Sequence, residues 1–332
     1  MQDLVVHRLK LYLSRAYPES SFQSITNDAS TRRYFRLKNQ NQTLIACVYP
    51  LPFEPHHQPF LQTTQFFRQA GLPVPRIIDV SGADGIILQE DFGDQLVANW
   101  LPLATDLERD QVIKEAIEII ALIQQTTNQA FKEESIVVKS KFDFNKLFWE
   151  LEYFYIHFLC YFQKLQLTSK KEASLKAELK TIAEKLAKRS CVVVHRDFHL
   201  SNLLLRPNHQ FSLGLIDYQD ARIGPSSYDL VPLLVERLNQ QLTDEKIDEY
   251  IEYFLNIRSS SLITLKKEDF VNEFWLTDLQ RGLKVLGTFG YMTTVAQRPE
   301  YKKFIANTLK EVQRALTKVD LPTSVINEVL NS

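Results

Sequence analysis

Three polar side chains stand at the ends of short apolar runs in the middle of this chain. Val192-Val193-Val194 leads into His195-Arg196-Asp197-Phe198-His199-Leu200-Ser201-Asn202, and a second run, Leu213-Gly214-Leu215-Ile216, delivers Asp217. Apolar, β-prone segments that close on polar residues put those residues at strand ends, where an acid, an amide and a second acid can meet. Phosphoryl transfer needs that set. One carboxylate accepts the proton of an attacking hydroxyl, while an amide oxygen and another carboxylate hold the magnesium ions that neutralise the nucleotide's phosphates. Asp197, Asn202 and Asp217 are expected in these roles, in that order. Single Asp and Asn residues after strands more often serve turns, and His-Arg-Asp alone is a common tripeptide. The weight rests on the combination of His-Arg-Asp, an Asn five residues beyond the Asp, and an apolar strand ending in a second Asp.

The elements that must carry these residues follow from size and pattern. A chain of 332 residues exceeds the usual single core, so two lobes are expected. Hydrophobic residues make up 45% and the formal net charge is -1, values of an ordinary globular protein that give no electrostatic case for nucleic acid. The start, Met1-Gln2-Asp3-Leu4, has no signal-peptide character and no apolar stretch reaches the ~20 residues of a membrane span, so a cytoplasmic protein without membrane insertion is expected. Cys47, Cys160 and Cys191 sit in apolar surroundings without metal or disulfide spacing and are expected as buried thiols.

Leu4 to Tyr17 reads as an opening helix. Tyr34 to Leu37 and Leu44 to Tyr49 read as paired strands around the turn Lys38 to Gln42, Pro59 to Ala70 as a helix, and Gly85 to Gln89 as a strand running into Glu90-Asp91-Phe92-Gly93. Beyond it the pattern turns helical: Leu107 to Ile123, Lys171 to Lys188, Glu245 to Phe254, Glu268 to Met292 and Tyr301 to Lys318. The expected fold is α+β and kinase-like: a small sheet lobe (1–91) that binds nucleotide, then a larger, mainly helical lobe (92–332) for catalysis and acceptor binding.

Kinases commonly cover the phosphates with a glycine-rich loop and pair them with a strand lysine. Here no glycine lies between Gln23 and Gln69, and the strand Leu44 to Tyr49 has no lysine. Thr26 to Arg36 instead offers hydroxyl side chains at a turn followed by Arg32, Arg33 and Arg36. Arginine's planar donors suit phosphate oxygens, although a solvated basic strand has the same composition. Alternation places Arg32 and Arg36 on one strand face and Arg33 on the other, so one or two arginines at most can look into a cleft.

The segment Asp28 to Arg36, together with His195 to Asn202 and Ile216 to Leu230, resembles the aminoglycoside-phosphotransferase-like kinases. Within them it is most similar to the anomeric cell-wall-sugar kinases, which phosphorylate N-acetylmuramate and N-acetylglucosamine at the 1-position with ATP. Gly71 to Pro75, Leu88 to Asp94, Trp149 to Phe154 and Leu279 to Gly287 occur in the order this branch shows. The resemblance implies Asp197 as catalytic aspartate, Asn202 and Asp217 as Mg²⁺ ligands, and Gln89, Glu90 and Phe92 within a hinge that meets adenine through its main chain. It also implies Asp229 as a brace of the catalytic loop. A nucleotide role for Arg33 has no counterpart in the superfamily's motifs.

A sugar acceptor needs polar partners for its hydroxyls and an aromatic wall for its ring. Glu150 and Glu152 stand among Trp149, Tyr153, Phe154, Tyr155 and Phe158, in what could equally be a core helix. Arg281 and Lys284, three apart on one helix face, could meet an anionic lactyl group or form ion pairs. His199 could flank the acceptor hydroxyl or brace its loop. The expected partners are ATP, Mg²⁺ and a small-molecule sugar in cell-wall recycling. A related aminoglycoside or amino-alcohol kinase is the alternative, disfavoured because a polycation would meet Arg281 and Lys284. A nucleotide-binding pseudokinase fits less well, since Asp197, Asn202 and Asp217 are all retained.

Overall fold

A computed structural model describes residues 2–25, 31–40, 42–207, 211–235, 242–258 and 266–331. The turn Thr26 to Ser30, with the hydroxyl side chains expected near phosphate, lies outside the described residues. The chain divides into two compact units, 1–115 with 201–220, and 116–200 with 221–332.

The first unit is built on a five-stranded antiparallel sheet whose strands lie side by side in the order Ser21–Ile25, Arg33–Asn39, Gln42–Val48, Ile86–Glu90 and Ile77–Ser81. Helix α1 (Gln2–Ala16) precedes β1 (Ser21–Ile25), β2 (Arg33–Asn39) and β3 (Gln42–Val48), and helix α2 (Pro59–Gln69) precedes β4 (Ile77–Ser81) and β5 (Ile86–Glu90). Register pairs Phe35 with Ala46 and Ala46 with Leu88. Period-two alternation then gives one face to Phe35, Leu37, Leu44, Ala46, Val48, Ile86 and Leu88, which bury against Leu9, Tyr12 and Leu13 of α1. Each of the larger side chains, the valine, leucines, isoleucine and phenylalanine, contributes roughly 1.5–3 kcal/mol on burial. The opposite face receives Tyr34 and Arg36 of β2, Ile45 and Cys47 of β3, and Ile87 and Gln89 of β5. β1 and β4 were not legible as strands: both are edge strands with mixed exposure, where alternation is weak.

The hairpin of β7 (Leu203–Leu205) and β8 (Leu213–Leu215) also belongs to this unit. Leu205 N–H donates to Gln95 O at 2.9 Å and Leu215 N–H to Pro73 O at 2.8 Å. Gly214 lies flat against the Phe92 ring, and any Cβ there would overlap it. These ties carry residues 92–115 and the hairpin into the first unit, a different division from the one expected at Asp91.

The second unit is mainly helical. After the short helix α3 (Val97–Trp100), the long helix α4 (Asp106–Gln125) runs through the division of the chain, and α5 (Thr127–Lys132) follows. Helix α6 (Phe144–Phe154), capped by the Asp143 carboxylate on Lys146 N–H, continues as a π-helical stretch over Tyr155–Phe162. Then come α7 (Ser169–Arg189), the two-stranded pair of β6 (Ser190–Val194) with β9 (Arg222–Pro225), α8 (Leu230–Leu234), α9 (Asp244–Ile257), α10 (Lys267–Thr294), α11 (Ile305–Lys318) and α12 (Ser324–Leu330). The 28-residue α10 is the spine. Its Gly287 and Gly290 meet the backbones of Phe154 and His157, so α10 touches α6 and the π stretch with no side chain between. The helix expected from Tyr301 opens as a 3₁₀ turn and becomes α-helical at Ile305.

Cys47 is buried, but Cys160 and Cys191 are partly exposed, contrary to expectation. Among the described residues, no helix is long and apolar enough to cross a membrane.

Candidate active site

In the second unit, β6 ends at Val194 and leads into His195 and Arg196, where the chain turns through a left-handed conformation at Arg196, φ +87°. A side chain with a Cβ adopts that shape only when neighbours hold it. They do so here. Asp229 accepts His195 N–H at 2.6 Å and Arg196 N–H at 2.9 Å. Arg281 donates to Arg196 O at 3.1 Å, and its guanidinium lies 4.6 Å above the Tyr228 ring, itself stacked on Phe142. Asp229 is fully buried, which pushes its carboxyl up to about 7 despite the two N–H donors and Arg281.

The turn so fixed presents Asp197. Burial works to raise its carboxyl, but Arg196, Lys284, Arg281 and His195 outweigh burial and hold it below the ordinary aspartate value. Arg196 Nε is 3.7 Å from Asp197 Oδ2. Asp197 is thus a carboxylate kept ionised, as a proton acceptor must be before reaction. His199, half-buried, donates its N–H to Asp197 O at 3.1 Å.

Of the residues expected near an acceptor, Glu150, Arg281 and Lys284 gather with Asp197. Glu150, 2% exposed, accepts from Gln280 Nε2 at 2.9 Å and faces Lys146 Nζ at 3.4 Å. Lys284 lies within electrostatic reach of Glu150 and Asp197. Glu152 is not brought there: it neighbours Lys176 of α7. Lys146 and Gln280, the partners of Glu150, were missed in the sequence. The available signal was spacing, since Lys146 lies four residues before Glu150, and Gln280 four before Lys284.

The first unit carries the other half of the candidate chemistry. Asn202 O accepts Ile216 N–H at 3.1 Å, which sets the start of β7 beside the end of β8. Asp217 follows in a left-handed turn, φ +64°, and takes Gln219 Nε2 at 2.9 Å. Arg32 Nη2 stands 3.8 Å from Asp217 Oδ1, with its guanidinium 5.9 Å from the ring centroids of both Tyr34 and Tyr49. Arg33 points to the other sheet face, over Phe35. Arg36 is fully engaged: it binds Asp91, Asp94 and Gly93 O. β3 carries no lysine and α2 no acid, so the usual lysine–glutamate pair is missing on both sides. α2 gives Thr64 instead, hydrogen-bonded to Tyr218 OH.

In the expected hinge, Gln89 and Glu90 remain inside the sheet, paired with β3, and Glu90 N–H donates to Arg76 O. The ladder stops there, so the main chain of Asp91 and Phe92 lies beyond the paired strand. Glu90 also faces Arg76 and Arg206, and Arg206 lies over the Phe92 ring.

Residues 21–261 match the model of the phosphotransferase enzyme family. The chain belongs to this family. It is 27% identical to an N-acetylmuramate/N-acetylglucosamine kinase of Neisseria meningitidis over 92% of the chain and 90% of that protein. Among solved structures, it is similar to an ethanolamine kinase of Plasmodium vivax (TM-score 0.60, 13% identity, 91% and 85% covered). It is also similar to the ADP-bound aminoglycoside phosphotransferase APH(2'')-Ib (TM-score 0.57, 15% identity, 94% and 98% covered). The fold is therefore the kinase-like one, and this phosphotransferase uses ATP and an alcohol acceptor.

Proposed function

We propose that this phosphotransferase moves the γ-phosphoryl group of ATP to the anomeric hydroxyl of an N-acetylated cell-wall sugar, N-acetylmuramate or N-acetylglucosamine. The observation that carries the reading is Asp197, held ionised on a braced turn beside Glu150 and Lys284. The likeness to N-acetylmuramate/N-acetylglucosamine kinases supplies the acceptor class.

In the reaction, the sugar O1–H gives its proton to Asp197 as O1 bonds to the γ-phosphorus. The bond from that phosphorus to the bridging oxygen breaks, and ADP leaves. Asn202 and Asp217 offer oxygen donors, the ligand type Mg²⁺ takes, and among the described residues no cluster of three His, Cys, Asp or Glu competes as a protein-only metal site. These two residues would hold Mg²⁺, which supplies charge neutralisation at the phosphates. Arg32 adds positive charge where the lysine is missing, and Asp91 and Phe92 meet adenine. The product serves cytoplasmic recycling of cell-wall sugars.

A polycationic aminoglycoside fits less well, because Arg196, Arg281 and Lys284 all act on Asp197. Incubation with ATP, Mg²⁺ and a panel of sugars, amino alcohols and aminoglycosides, read by phosphorus NMR, tests the reading. A phosphate on the anomeric oxygen of an N-acetylated sugar is expected. Phosphorylation of amino alcohols or aminoglycosides alone would overturn it.

A further inference from the structure

Arg281 and Lys284 look equivalent in the sequence, as two cations on one face of α10. The structure separates them. Arg281 is 3% exposed and committed: its guanidinium donates to Arg196 O and lies over Tyr228. It shapes the catalytic turn. Lys284 is half-buried, and among the described residues its ammonium makes neither ion pair nor hydrogen bond. Glu150, an acid within its electrostatic reach, already faces Lys146 and accepts from Gln280. A partly desolvated ammonium without a partner is costly, and an arriving anion removes that cost. Burial accordingly pulls the Lys284 ammonium down from the ordinary lysine range, with Glu150 and Asp197 opposing burial.

We propose that Lys284 binds the carboxylate of an acidic amino sugar and so gives the acceptor site a preference for the carboxylate-bearing sugar over its neutral counterpart. This rests on the sugar-kinase reading above. An acceptor carboxylate is favoured over a nucleotide phosphate because Lys284 shares its unit with Asp197 and Glu150. The residues assigned to the phosphates, Arg32, Asn202 and Asp217, all belong to the other unit. A lysine ammonium is a compact point charge on a flexible stem, suited to a carboxylate on a short side arm.

The test compares wild type, Lys284→Met and Lys284→Arg on N-acetylmuramate, its methyl ester and N-acetylglucosamine. In Lys284→Met, the ratio of kcat/KM for N-acetylmuramate over N-acetylglucosamine should fall at least about tenfold, chiefly through KM, a typical loss for a charge-assisted contact. Lys284→Arg should retain part of the preference. The wild type should discriminate acid from ester by a similar factor, an outcome independent of how any variant folds. Equal losses on acid and neutral sugar, or a wild type indifferent to esterification, would overturn the proposal and leave the sugar-kinase reading standing. A wild type that phosphorylates none of the sugars overturns both.

Discussion

Arg32 and Asp217 face each other at 3.8 Å, joining the residue before β2 to the turn after β8. Asp217 is 45% exposed, and a pair of that kind stabilises a fold by ~1 kcal/mol at most. On the proposed reading its use is electrostatic, at the carboxylate that would hold metal. Tyr34, Cys47 and Tyr49 line the guanidinium; burial works against its charge, but these neighbours outweigh it and keep the charged form favoured. Arg32→Ala should raise the KM for ATP by about tenfold or more, with the melting temperature nearly unchanged. Arg33→Ala, on the opposite sheet face, should leave ATP kinetics close to wild type. Steady-state kinetics at varied ATP decide this, and normal ATP kinetics in Arg32→Ala would refute the phosphate role.

That distinction shows how far the sequence reaches. Alternation of β2 already separated Arg32 from Arg33, but which face looked toward Asp217 depended on register with β3 and on α1 covering the Phe35 side. Asp197, Asn202 and Asp217 could be named as candidates because strand-end chemistry leaves a local signature. Arg281 and Lys284 were not separable, because their difference lies in Arg196 O and Tyr228, which only tertiary packing brings to one of them. Trp149, Tyr153, His157 and Tyr161 recur every four residues, so the stretch reads as ordinary helix. The winding to π form after Phe154 coincides with the approach of Gly287 and Gly290, a long-range contact.

Asp197→Asn removes the proposed proton acceptor while preserving shape. Turnover should fall by about 10² to 10⁴, with nucleotide affinity nearly intact. Because Arg196, Lys284 and Arg281 hold the Asp197 carboxyl below its ordinary value, the acid limb of wild-type kcat/KM should lie below the usual aspartate range rather than near neutrality. A variant with near-wild-type turnover, or an acid limb near neutrality that disappears only in Asp197→Asn, would contradict this.

Asp217→Ala should act on binding as well as on rate, since it removes a proposed metal ligand and the Arg32–Asp217 ion pair. Calorimetry at millimolar Mg²⁺ should show ATP affinity reduced about tenfold or more, and the reduction should shrink when Mg²⁺ is omitted for both proteins. Unchanged affinity with Mg²⁺ would remove Asp217 from the metal.

Asp229 links pH to stability. Its folded carboxyl titrates at about 7, against the ordinary 3.8, because burial disfavours the charge. Well below the unfolded value of 3.8 the group is protonated in both folded and unfolded chains, and the stability tied to it is fully present. As pH rises, the unfolded chain ionises freely while the folded carboxyl resists, so this stability is lost progressively until the pH has passed through about 7. The displacement is equivalent to ~4 kcal/mol as an upper bound. Asp229→Asn cannot ionise and offers one acceptor oxygen to the two N–H groups of His195 and Arg196, which should cost about 1–3 kcal/mol at low pH. Melting temperatures from pH 4.5 to 8.5 should therefore fall for the wild type and run flatter for the variant, so that the wild type's low-pH advantage shrinks and, at the upper bound, reverses toward the alkaline end. Parallel curves would show that Asp229 ionises alike in both states, and that the two N–H bonds and Arg281 offset its burial.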